Sequence, residues 1–306
     1  LVAPQAFPAG YAIPVVAWVE DDEGHAVRAN GALTAAGQPS FAIRRGVGSG
    51  FLAADNPAGP LSYAAQVGGL EAVTPIQIET NTLWTPVSGA LAANTTWPAN
   101  SRIHVTGHLT NSAGSTLTVG AGTIVRVAAA TDLYNLGQVL INGTTNQPVV
   151  FMPASSGQPW GGFIQHAGNA GFTATGAIFT GSGANQGCWF TGHGCSSSVS
   201  GITSHRGEQA LFSLKGANCA LTLTDCAALS LAGQFGHSAG SVSGSYPITL
   251  TRFLMQHCTT GGEYTDAAFN VTDSAFIECP DDTADFVDGD NDGLYIVNGT
   301  HSFTRS

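Results

Sequence analysis

Lysine is almost missing from this chain: Lys215 stands alone beside eight arginines in 306 residues. Charged residues make up 9% in all, and the formal net charge is −11. A chain so poor in cations has no basic face for a phosphate backbone, so nucleic acid is not expected as a partner. The same shortage speaks against docking on anionic lipid. No run of eighteen apolar residues occurs, so no transmembrane helix and no membrane insertion is expected. Sustained 3.6-residue periodicity is absent, which removes helices as the framework. The sequence has no P-loop, no dinucleotide fingerprint and no zinc spacing. Gly48-Ser-Gly50 lacks the strand-to-helix setting of a nucleophile elbow.

What is present is glycine, with 40 residues, together with abundant Thr, Ser and Asn. These suit tight turns and stacked polar ladders. Ile248-Thr-Leu-Thr-Arg-Phe-Leu-Met-Gln-His-Cys258 reads like Phe269-Asn-Val-Thr-Asp-Ser-Ala-Phe-Ile-Glu-Cys279, twenty-one residues on (269 − 248 = 21). Phe172-Thr-Ala-Thr-Gly-Ala-Ile-Phe, Ser197-Ser-Val-Ser-Gly-Ile-Thr and Leu221-Thr-Leu-Thr-Asp-Cys226 follow the same template, at steps of 25, 24 and 27 (172 to 197 to 221 to 248). A repeat of this length with period-two alternation predicts stacked tiers of strands. A last copy starts at about Ser302, placed two tiers after Phe269. Thr304-Arg-Ser306 matches Thr251-Arg-Phe253, so the expectation is that the stack is truncated there or continued by another chain.

Upstream, Ile103-His-Val, Thr116-Leu-Thr-Val, Thr123-Ile-Val-Arg-Val, Gln138-Val-Leu-Ile and Val149-Val-Phe-Met are short alternating runs punctuated by Gly, Asn and Pro. The fold expected is all-β: a right-handed parallel β-helix over 84–306, preceded by a small β domain or N-terminal cap over 1–83. A joint is expected near Pro75 to Ser88. Handedness rests on the general rule for parallel crossovers. A β sandwich or barrel is the alternative.

Residues 84–160 carry Trp84-Thr-Pro-Val-Ser-Gly, Leu117-Thr-Val-Gly-Ala-Gly-Thr-Ile-Val-Arg-Val, Gly143-Thr, Pro148-Val-Val-Phe and Trp160-Gly-Gly-Phe. This order resembles the opening of secreted bacterial right-handed β-helix repeat proteins, over about 84–306. The resemblance implies a fold and an extracellular or cell-surface location. It does not imply one chemistry, since such proteins include adhesins, polysaccharide-active enzymes and large envelope proteins.

Six cysteines all follow residue 187. An even count in a secreted chain points to disulfides. Cys258 and Cys279 hold equivalent tier positions, about 4.8 Å apart in a strand stack, within disulfide reach. Cys188 with Cys195 closes a short loop. Buried thiols are the alternative.

Asp288-Gly-Asp-Asn-Asp-Gly293 places carboxylates on alternate residues around a Gly-bearing turn, a pattern suited to Ca²⁺. It resembles the calcium loops of dockerins, thrombospondin type 3 repeats and EF-hands, but Gly299 stands where an EF-hand has its bidentate Glu. The candidate ligands are Asp288, Asp290 and Asp292, with Asp285 and Asp282 as further donors; an acidic turn without metal is the alternative.

Catalytic candidates are His205, Arg206, Glu208 and Lys215, a set that matches the Arg or Lys base of β-helical lyases. Asp225 and Asp273 form a carboxylate pair about 9.6 Å apart, two strand spacings, within the inverting-glycosidase range. Arg252 falls between them, so a structural charge ladder is the simpler reading. Thr191-Gly-His-Gly194 matches polygalacturonases, but their other motifs are not in place. Trp160, Trp189 and Tyr264 are candidate sugar platforms, with core packing as the alternative.

Two functions follow. The first is a calcium-stabilised extracellular structural or adhesive module that assembles end to end with itself or with further tiers. The second is a polysaccharide-binding or polysaccharide-cleaving protein.

Overall fold

The computed structural model describes residues 1–23, 27–44, 46–53, 55, 58–165, 170–184, 188–193, 196–205, 210–215, 220–229, 241–256, 263–277 and 295–306. The protein is all-β, with no helix among the described residues. Among the described residues from Thr85 onward every strand pairing is parallel, each strand bonding to the strand one chain repeat later. Three ladders result, built from the three strand segments of each tier.

The third segment is the most regular. It comprises Thr95–Trp97, Thr116–Gly120, Gln138–Asn142, 171–175, 196–200, Ala220–Thr224, 246–251, 267–272 and Ser302–Thr304. Its register is the one the repeat predicts. Phe172 pairs with Ser197, Ser197 with Leu221, Leu221 with Ile248 and Ile248 with Phe269. The last copy corrects the reading: Asn270 pairs directly with Ser302, so that strand lies one tier after Phe269, not two. The chain between Ile277 and Tyr295 is longer than the corresponding stretch of earlier tiers, yet the strand register is the same on either side of it.

Alternation puts every second side chain into a shared core. Leu117, Val139, Phe172, Leu221, Ile248 and Phe269 fill it from the third ladder, and Phe151, Phe163 and Phe179 from the others. Phe151 stacks on Phe179 of the next tier at 5.1 Å between centroids. Each such side chain adds about 1.5–3 kcal/mol by leaving water.

One inward column is polar. Asn111 Nδ2 donates to Asn135 Oδ1 at 2.8 Å, and Asn135 Nδ2 donates to Gln165 Oε1 at 2.7 Å. The same amide nitrogens donate to the carbonyls of Gln138 and Gly171. A primary amide has donors and an acceptor, so the central Asn135 is paired on both sides, while at the two ends of the column Asn111 Oδ1 and Gln165 Nε2 are buried without a partner.

Residues 1–79 form two sheets. Ala6–Pro8, Leu70–Glu79, Gly59–Val67, Gly31–Ala35 and Phe41–Ile43 make a five-stranded sheet, and Ile13–Trp18 pairs antiparallel with Val47–Leu52. Pro75 lies inside a strand, so the two systems separate over 80–84. The sheets lie along the flank of the first ladder. Its outward side chains Ile124, Val150, Met152 and Ile178 share one cluster with Phe7, Val15, Leu33 and Ile76. Farther along, Ala227, Leu229 and Leu254 meet Val16 and Val47. These residues are therefore a side cover rather than an end cap. Arg102 ties the seam, donating to Glu79 at 2.7 and 2.8 Å and to the Gly122 carbonyl at 2.9 Å.

Asn135→Ala removes both side-chain bonds of the amide column and orphans buried groups on the neighbouring tiers. A loss of roughly 2–4 kcal/mol is expected, read from the urea midpoint.

Candidate functional site

The two catalytic sets of the sequence fare differently. His205 ends a first-ladder segment, opposite Thr180, and Lys215 ends Ala210–Lys215 of the second ladder. Arg206 and Glu208 lie outside the described residues. So do Asp282, Asp285, Asp288, Asp290 and Asp292, in the connection between Ala275–Ile277 and Tyr295–Val297. Among the described residues no three His, Cys, Asp or Glu side chains converge to hold a metal ion. Cys188 opens a second-ladder strand; Cys195, Cys258 and Cys279 fall outside the described residues. Cys226 is buried, with its thiol donating to the Thr224 carbonyl at 3.2 Å.

Two sugar-platform expectations are corrected. Trp160 is 0% exposed, packs on Phe151 at 6.1 Å, and its indole N–H donates to the Thr180 carbonyl. Tyr264 is 1% exposed and meets Phe269 at 4.6 Å; burial pushes its phenol far up. Neither ring offers a face to a ligand. Both side chains are part of the core that the three ladders enclose. Trp189 lies on the second ladder.

Asp225, Arg252 and Asp273 do come together, and Arg305 joins them. Arg252 Nε and Nη2 donate to Asp225 at 2.5 and 2.8 Å, and Arg305 Nε and Nη2 donate to Asp273 at 2.5 and 2.7 Å. Both pairs are bidentate forks. Asp225, then Asp273 and Glu20, raise the Arg252 pKa further. Each carboxylate is thus engaged through both oxygens by a guanidinium. The arrangement is the charge ladder that the sequence offered as the simpler reading of Asp225, Arg252 and Asp273.

The backbone explains the file. Asp225, Arg252 and Asp273, with φ of 53°, 49° and 52°, make the left-handed turn joining the third ladder to the first, and Arg305 takes the same φ of 50° after Ser302–Thr304. Gly176 makes the same turn at φ 52°. Each turn residue is tied to the next tier: the Asp225, Arg252 and Asp273 amides donate to the Thr251, Thr272 and Thr304 carbonyls, all at 3.0 Å.

Beside this file, the outward side of the third ladder carries two columns of hydroxyls that the sequence showed only as scattered Thr and Ser. Five described tiers present Thr173 and Thr175, Thr222 and Thr224, Thr249 and Thr251, the amide Asn270 with Thr272, and Ser302 and Thr304, and the strand 196–200 keeps the same register between the first two. Neither column contains a charge in these tiers. The pairing geometry sets neighbours about 4.8 Å apart between tiers and about 6.7 Å apart along a strand. The N-terminal sheets sit on the first ladder and leave this side open.

Sequence reasoning also missed a cluster on the second ladder. Asp132, 3% exposed, accepts from the Tyr134 hydroxyl at 3.2 Å, and its amide donates to His108 Nδ1 at 3.0 Å. His108 Nδ1 is 3.8 Å from Asp132 Oδ2, and its ring is 5.7 Å from that of Tyr134. Burial and Asp132 raise the Tyr134 pKa, so the phenol stays protonated. With Nδ1 accepting from the Asp132 amide, Nε2 is the ring nitrogen left to face outward from this contact. Positions 108, 132 and 134 share no motif spacing; only the tier stack joins them.

Arg252 combines left-handed strain with an ion pair that is largely solvated. Arg252→Gly relieves the first and loses the second, so its stability is expected within about 1 kcal/mol of the parent. Arg252→Val loses the pair and puts a β-branched residue at positive φ, so it is expected to cost about 2 kcal/mol or more. Paired thermal melts read the order.

No family model and no curated protein matches the chain. Among solved structures, the crystal structure of XAC1771, a novel carbohydrate acetylesterase from Xanthomonas citri, is 16% identical over 30% of this chain, with a TM-score of 0.22. The match spans 21% of that structure's chain. A similarity of this size assigns neither fold nor activity.

Proposed function

We propose that the chain is an extracellular structural and adhesive module. Its three ladders wind as a right-handed parallel β-helix, and its open third face lies against an uncharged, hydroxyl-rich surface such as a polysaccharide. The observation that carries this reading is the double hydroxyl column, kept in one register while loops elsewhere vary. The crossover rule supplies the hand. The hydroxyl columns themselves carry no charge, and hydroxyls both donate and accept towards sugar hydroxyls. Adhesion by such a face needs no catalytic group, in keeping with the bound carboxylates of Asp225 and Asp273. The outer edge of Ser302–Thr304 can take a further strand, from more of the same chain or from a second copy, which would lengthen the face.

Co-sedimentation with insoluble cellulose, chitin and β-glucan tests the reading. The parent is expected in the pellet with at least one of them, and Thr222→Lys with Thr249→Lys is expected to stay in solution. Equal behaviour of parent and variant would remove the third face as the adhesive surface. No release of reducing sugar or unsaturated uronate is expected from either.

Calcium stiffening belongs to the same proposal, and its support is the alternate carboxylates of Asp288, Asp290 and Asp292 around a Gly-bearing turn. Millimolar Ca²⁺ is expected to raise Tm, and chelation to lower it. Replacing all three with Asn is expected to abolish the response; a Tm indifferent to Ca²⁺ in the parent would end this part of the reading.

A further inference from the structure

One cation on the flank holds three separate segments together. Arg126, on Ile124–Val127, donates to the Tyr11 hydroxyl and to His104 Nδ1, the latter at 3.0 Å. Its guanidinium lies over the Trp84 ring, 4.3 Å from the centroid, and Tyr11 meets Trp84 edge-on at 5.8 Å. Tyr11 belongs to the N-terminal sheets' segment, Trp84 to the link, and His104 with Arg126 to the first ladder. Arg126 Nε is buried without an acceptor.

An arginine is always a donor, so His104 Nδ1 must be the acceptor and the ring must be neutral. The groups around His104 leave nothing to compensate a second charge. Thr85–Ala90 brings Pro86 opposite it, Ile124–Val127 brings Arg126, and the N-terminal segment brings the Tyr11 phenol. Arg102 on its own strand is committed to Glu79. Among the described residues no carboxylate pairs with His104 or Arg126. An imidazolium here loses the hydrogen bond and faces a permanent cation at contact distance.

We propose that this cluster is an acid-sensitive clasp: when His104 takes up a proton, the Arg126 guanidinium leaves its seat between Tyr11 and Trp84, and those segments loosen from the first ladder. Burial and the Arg126 charge both hold the His104 imidazole below its ordinary range, in line with the geometry. The sign follows from linkage. The opened form, with His104 in water, binds protons more readily than the closed form. Closure is therefore favoured above the ordinary histidine range and is progressively lost as pH falls through and below it. The apolar cluster under the sheets keeps them attached. The response is local opening at one corner.

Hydrogen–deuterium exchange at pH 7.5 and 5.0, corrected for intrinsic rates, tests the clasp on the whole chain. Peptides containing Tyr11 and residues 84–87 are expected to exchange severalfold faster at pH 5.0, while residues 220–224 keep their protection. His104→Gln supplies a neutral acceptor and is expected to remove the acid step. Unchanged protection in the parent, or an acid step that survives in His104→Gln, overturns the proposal. Should that variant not fold, an NMR titration of His104 in the parent decides: a midpoint below that of free histidine supports the clasp, and one at or above it overturns it.

Discussion

Parallel pairing in register sets each side chain directly over its counterpart about 4.8 Å away, and it does so tier after tier. Whatever a column contains must therefore tolerate a copy of itself on both sides. Apolar groups do, and they fill the core. Hydroxyls do, because each can donate and accept. Amides do when donor meets acceptor, as Asn111, Asn135 and Gln165 show. Like charges do not. A charged column must alternate in sign, and the file of Asp225, Arg252, Asp273 and Arg305 alternates at every step. The scarcity of charge that opens the sequence is the same constraint seen across the chain.

The corner between the third and first ladders adds a backbone demand. At several of these corners one residue takes a positive φ, and Gly176 does so without strain. Asp tolerates it, and Arg tolerates it less well. At Arg252 the cost is offset by a bidentate carboxylate fork and by the amide bond to the next tier. The ion pairs thus serve the turn.

The flank shows the opposite solution to an exposed ladder. The first ladder turns Ile124, Val150, Met152 and Ile178 outward, and the N-terminal sheets bury them. The third ladder turns hydroxyls outward and needs no cover. One side is thereby used for internal attachment and another is left free. The seam between sheets and ladder collects the polar contacts, Arg102 with Glu79 and Arg126 with Tyr11, Trp84 and His104.

Period-two alternation and repeat spacing were enough to align Phe172, Ser197, Leu221, Ile248 and Phe269, and to set Asp225, Arg252 and Asp273 in one file. Both are local patterns, and stacking copies them without distortion. The step to Ser302 escaped that logic, because a long insertion between strands hides the spacing while leaving the pairing intact. Whether an aromatic points in or out also escaped it at Trp160 and Tyr264, where neighbouring Gly, Thr and Asp blur the alternation. The seat of the N-terminal sheets, the cluster of His108, Asp132 and Tyr134, and the clasp on Arg126 join residues tens of positions apart with no shared period. Only the tertiary structure could decide these. Their contacts run between tiers and between sheets, and the sequence carries no periodic trace of such contacts.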